Sequence, residues 1–131
     1  MGHTCTRHEE GIVWVVEGVF SPDVGFRLNE ELAMQPSLDR IQYFIIDLSD
    51  IAGFDSESDQ TEVNAHYSHS LSIYSRTMIG VFIISDPAFK NFPDPYIEAM
   101  QKAGSEWDLG VCASYAEAKA LIESKLNRPI A

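Results

Sequence analysis

Ser56 stands among Asp47, Asp50, Asp55, Glu57 and Asp59, just ahead of a helical pattern. A hydroxyl at a helix N-terminus lies beside free backbone N–H groups and the positive end of the helix dipole. It can therefore cap the helix or hold a phosphate there. Capping by Asp55, Ser56 or Ser58 contributes about 1 kcal/mol and needs no partner. The crowded acids raise the cost of adding a phosphate dianion. A second grouping, Glu62, His66 and His69, puts an acid and two imidazoles on one helix face, a spacing able to chelate zinc or nickel. No fourth ligand accompanies them in the sequence, so neither metal nor other cofactor is expected. Ser56, a helix histidine and Asp47 assemble into a triad only on paper, because triads are defined by geometry. No Gly-x-Ser-x-Gly elbow is present, and no Gly-rich phosphate loop follows an apolar run. No catalytic residue is expected, and the chain reads as non-enzymatic. A third grouping, Phe89, Phe92, Pro93, Pro95 and Tyr96, is an aromatic and proline-broken segment. It could form a lid over an apolar cleft, or simply pack onto a sheet.

These groups need elements to position them. Residues 4–8 read as a short strand, turning through Glu9-Glu10-Gly11 into the β-branched run Ile12 to Val16. Ser21-Pro22-Asp23 has the form of a cap, a first-turn proline and a first-turn acid, and Val24, Leu28 and Leu32 make one buried stripe behind it. Gln35-Pro36 stops that helix. A second apolar run opens at Arg40-Ile41 and is expected to end at Asp47, where a polar loop to Ser58 begins. Glu57 to about Ser75 is helical, with Val63, Tyr67, Leu71 and Tyr74 expected on its packed face. Met78 to Ile84 is a further continuous apolar strand. Asp86-Pro87 and Asp94-Pro95 start a short turn and a helix to Gly104, and Trp107, Leu109 and Val111 alternate as a last strand. Ser114-x-x-Glu117 is a capping box before a helix with Ala118, Leu121 and Ile122 inward, and Lys125 onward should be a loose tail. Strands joined through helices imply an α/β domain with a mostly parallel sheet of about five strands, about four helices and one antiparallel strand near the start. Residues 1–131 form one domain.

Asp47-Leu48-Ser49, a gap of five, then Asp55-Ser56 resembles the signature of STAS domains, the anti-sigma-factor antagonist or SpoIIAA-like family. In that family a strand ends in Asp or Asn-Leu, and Asp-Ser-Ser/Thr-Gly follows at the start of the next helix. The resemblance implies a SpoIIAA/STAS-like fold and places Ser56 at the phospho-acceptor position. It makes Asp47, Asp55, Glu57 and Ser58 a contact loop for a protein partner such as a kinase or an anti-sigma-like regulator. Glu57 departs from the usual Ser or Thr, and Ser58 from the usual Gly. SpoIIAA-like proteins are similar in architecture to the lipid-binding Sec14 or CRAL-TRIO domains. That likeness implies the alternative of a small apolar-ligand or membrane-associated domain, with Phe89, Phe92 and Tyr96 as ligand contacts or lid.

Composition narrows the partners. The 131 residues carry 45% apolar residues and a formal charge of −11, which disfavours nucleic acid and anionic membrane surfaces. No apolar run reaches the length of a membrane span. Cys5 and Cys112, far apart and without a secretory signal, suit a reducing cytoplasm. Met1-Gly2-His3-Thr4-Cys5-Thr6 fits the loose myristoylation pattern, but no basic cluster supports it and it reads as an ordinary terminus. Exposed strand edges are compatible with a homodimer. The expected role is a non-catalytic regulatory or protein-interaction module.

Overall fold

The computed structural model describes residues 2–55 and 58–130, without the side chains of residues 58–60 and 62. Five strands, β1 (Gly2–Arg7), β2 (Gly11–Phe20), β3 (Tyr43–Phe54), β4 (Ile79–Ile83) and β5 (Asp108–Cys112), lie side by side in sequence order. β1 runs antiparallel to β2 and every other neighbouring pair is parallel. Four helices connect or follow them: α1 (Pro22–Ala33), α2 (Ser58–Ser70), α3 (Asp94–Lys102) and α4 (Tyr115–Leu126). This is the mixed α/β architecture the alternation of apolar runs and helical patterns requires.

Because the parallel strands step across the sheet in one direction, crossovers of a single hand put their helices on one face. The packing agrees. Ile12, Trp14, Val16, Phe44, Ile46 and Phe82 face a core shared with Val24, Leu28 and Leu32 of α1, Ala65 of α2 and Met100 of α3. The alternate residues Val13, Ile45, Val81 and Ile83 face a smaller core closed by Ala118 and Ile122 of α4. The strict two-residue alternation sorts each strand's side chains between the two layers. Ser114 caps α4 as expected, its Oγ accepting from the Glu117 N–H at 3.2 Å, while Glu117 Oε2 accepts from the Ala113 N–H at 3.1 Å.

Three expectations need correction. The polar stretch after Asp47 is not a loop: β3 continues to Phe54, pairing Asp50 with Glu17, Ile51 with Gly18 and Phe54 with Phe20. Gly18, at φ 79°, sits between two register shifts of β2, in a backbone region that a side chain would strain. Beyond Asp47 no further pairing with β4 exists among the described residues, so this half of β3 has a single strand partner. The second correction concerns α2. Val63 and Tyr74 are exposed, at 52% and 61%, and the helix buries Asn64, Ala65 and Ser68, with Leu71 just past its end. Tyr67 and Leu71 pack inward as expected, and hydrogen-bonded polar residues take the other inward positions. Third, the tail is held. Arg128 pairs with Glu10 at 2.8 Å, and the Ile130 N–H donates to Glu123 Oε2 at 2.9 Å.

Candidate functional site

A cavity of about 540 Å³ opens where β2, β3 and β4 end, between the start of α1, the start of α2 and the approach to α3. Each wall has a local cause. Ser21 caps α1 through its Oγ, which accepts from the Val24 N–H, and Pro22 occupies the first helical position. That turn places Phe20, Pro22, Gly25 and Leu28 along one side. Ile46 and Phe82, pointing to the helix-covered face of the sheet, line the cavity from below. Asn91, Phe92, Pro93, Pro95 and Tyr96 form the wall opposite α1, and Asp55, Thr61 and Asn64 the side toward α2. Openings at the carboxyl ends of parallel strands are where α/β proteins commonly bind ligands.

The extended half of β3 builds part of this wall indirectly. Its last residue, Phe54, stacks on Phe92 with ring centroids 3.3 Å apart and planes at 15°. Phe20 meets Phe92 edge-on at 5.3 Å, and Phe89 meets Phe54 at 5.0 Å. The Asp55 N–H donates to the Phe20 carbonyl at 2.9 Å, closing the ladder and leaving the Asp55 side chain at the rim.

The cavity's polar side belongs to a chain of hydrogen bonds whose direction is fixed at one end. The Asn64 carbonyl can only accept, and it takes the Asn29 amide at 3.2 Å, so Asn29 must turn its oxygen toward Ser68. The Ser68 hydroxyl donates to that oxygen at 2.6 Å, and Tyr96 must then donate to Ser68, at 2.7 Å. Asn64 donates its own amide to the Pro22 carbonyl at 3.2 Å. Asn29, Asn64, Ser68 and Tyr96 thereby join α1, α2 and α3 through polar contacts beside the apolar core these helices share.

Burial pushes the Tyr96 phenol up to about 12. The ordinary value is 10.0, so below it both the folded and unfolded chains hold the proton and the folded state keeps its full stability. Between 10 and 12 the unfolded chain alone loses the proton, so stability falls by up to about 2–3 kcal/mol. Tyr43 is raised too, mainly by burial, with Tyr115 and Glu10 nearby adding to it. A Tyr96→Phe chain should lose stability less steeply over that alkaline range than the parent, as urea midpoints measured pH by pH would record.

The structure places the sequence's candidate residues unequally. Phe92 and Tyr96 line the cavity, whereas Phe89 does not and instead braces Phe54 from behind. Asp55 reaches the rim, but Asp47 folds onto its own strand, accepting from the Ser49 N–H at 3.0 Å and the Ser49 hydroxyl at 2.6 Å. A shared contact loop of Asp47 and Asp55 is thus replaced by two sites separated by an extended strand. Ser56 and Glu57 lie outside the described residues, as does the side chain of Ser58. Of the acid-and-histidine grouping, the Glu62 side chain is likewise outside, His66 is exposed, and among the described residues no three ligating side chains gather as for a metal. Phe20, Leu28, Ile46 and Phe82 were not singled out by sequence. The clue available was that Phe20 directly precedes the Ser21-Pro22 helix start, which fixes it at a strand's end.

No family model matches the chain, and no curated protein matches it. Among solved structures, the chain is similar to an uncharacterized protein of the DUF3478 family with a SpoIIAA-like fold from Shewanella loihica PV-4. The two share 10% identity with a TM-score of 0.46, each covered over 92% of its length. Among the described residues no helix is long and apolar enough to cross a membrane.

Proposed function

We propose that this chain is a non-catalytic binding module that takes a small, largely apolar ligand into the cavity at the ends of β2, β3 and β4. The observation that carries the reading is the cavity itself: about 540 Å³, walled by Phe20, Leu28, Ile46, Phe82, Phe92 and Pro93, with a minority of polar groups among its lining. That volume lies within the range of drug-sized ligand sites, about 300–1,000 Å³. The non-catalytic part is supported by the surroundings. Asp47 is engaged with Ser49, and neither His66 nor His69 lines the cavity.

Titration with the neutral fluorophore Nile red tests the reading. One molecule should bind per chain, and Gly25→Leu should weaken it at least about tenfold, ~1.4 kcal/mol. A Cβ at Gly25 points between Asn64 and the Phe20 ring, so a leucine there enters the cavity from an otherwise regular helix. Equal binding by the variant would remove the proposal.

A second reading, a protein-interaction module of STAS type, rests on the far half of β3. Among the described residues, 48–54 have β2 as their one strand partner, and Ser49, Asp50 and Ala52 are exposed. A strand edge of this kind can accept a partner's strand. Under this reading Ser56 would accept phosphate in the cell. Intact-mass analysis of protein from its native source should show a phosphorylated fraction lost in Ser56→Ala; wholly unmodified protein would dismiss it.

A further inference from the structure

The cavity's electrostatics point away from an anionic ligand. Among the described residues that line it, Asp55 is the one carboxylate, and no lysine, arginine or histidine contributes. The surrounding sequence extends the pattern. In sequence, residues 41–75 contain Asp47, Asp50, Asp55, Glu57, Asp59 and Glu62 but no lysine or arginine. A carboxylate or phosphate entering here meets like charge with no counter-ion built to receive it.

Because the Asn64 carbonyl fixes Asn29, and Asn29 fixes Ser68, the Tyr96 proton is committed to Ser68. The Tyr96 phenol therefore has no proton to give a ligand. Asn64 spends one amide hydrogen on the Pro22 carbonyl. Asp55 offers a carboxylate at the rim. The other polar residues that line the cavity among those described, Ser21, Thr61, Asn64 and Asn91, are neutral, so the Asp55 carboxylate alone sets the charge a ligand head must match.

On the binding reading proposed above, we infer that the ligand class is an apolar amine: an aromatic or alkyl body in the Phe20, Ile46, Phe82 and Phe92 cavity, and a protonated amino head turned to the Asp55 carboxylate. The acidic surround concentrates such cations and the apolar walls reject fully hydrated ones.

Three isosteric probes separate the possibilities: phenylbutylamine, phenylbutanol and phenylbutyrate, titrated by amide NMR at an ionic strength of about 0.15 M. The amine should bind about tenfold or more tightly than the carboxylate, with the alcohol between them. Asp55→Asn should bring the amine close to the alcohol. Gly25→Leu, which leaves surface charge unchanged, should weaken all three, so that adsorption to an acidic surface is told apart from cavity binding. Butyrate binding as well as the amine, a preference unaltered in Asp55→Asn, or amine affinity unaltered in Gly25→Leu would each overturn the inference. If the alcohol binds and the amine gains nothing, the cavity reading survives and the amine is wrong. If none of the three binds, both fail together.

Discussion

Replacing Trp14 with alanine should remove about 3–5 kcal/mol of stability, a large share of the roughly 5–15 kcal/mol that holds a domain folded. The indole is 2% exposed on the helix-covered face of β2 and meets the Phe44 ring edge-on at 6.1 Å. Its N–H donates to Glu31 Oε1 at 3.3 Å, and Glu31 also binds His3 Nε2 at 2.8 Å. The indole thus ties β2 to α1 while His3 brings the edge strand β1 to the same carboxylate. Alanine leaves a void beneath α1 and takes one donor from Glu31. Trp14→Phe keeps most of the buried ring and should lose clearly less. Urea midpoints at constant slope are the measurement, with Trp107 remaining as the fluorescent reporter.

Gly80→Val should be comparably damaging for the opposite reason. β4 is buried along its length, and at Gly80 the Phe44 ring lies where a side chain would begin, with Leu109 closing the other side. Phe44 cannot turn aside easily: it is 3% exposed and held edge-on by Trp14, Phe82 and Trp107, at 6.1, 6.5 and 6.0 Å. Adding atoms to a filled core costs typically about 1–3 kcal/mol, and a β-branched side chain against a fixed ring belongs at the upper end or beyond. The shift would pass to Phe82 and Ile46, whose side chains line the cavity, so Nile red binding should weaken at denaturant levels where the chain is still folded. Wild-type stability in this variant would mean that Phe44 has room to move, contrary to the packing described.

Much of the architecture was written in local pattern. The β-branched runs at Ile12 and Ile45, each apolar on both faces, could only be strands covered by helices on either side, and Ser114 and Glu117 announced α4. Those signals are short-range, which is why they are legible. The end of β3 was missed because Ser49, Asp50 and Gly53 have the composition of a loop, and only pairing with the matching extension of β2 makes them a strand. Half of the packed face of α2 was missed for a related reason. Asn64 and Ser68 are buried by hydrogen bonds to residues of α1 and α3, and hydrophobic periodicity has no term for that. The site was half visible. Phe92 and Tyr96 stood out as an aromatic cluster beside prolines, but Phe20, Ile46 and Phe82 look like ordinary strand residues until the fold brings their ends together.

Amide and methyl chemical-shift mapping with phenylbutanol tests most directly whether the space between α1, α2 and α3 is a binding site. Saturable shifts should concentrate at Gly25, Leu28, Ile46 and Asn64, and should vanish in Gly25→Leu. Shifts absent there, or scattered over the outer face of α4 instead, would contradict the account.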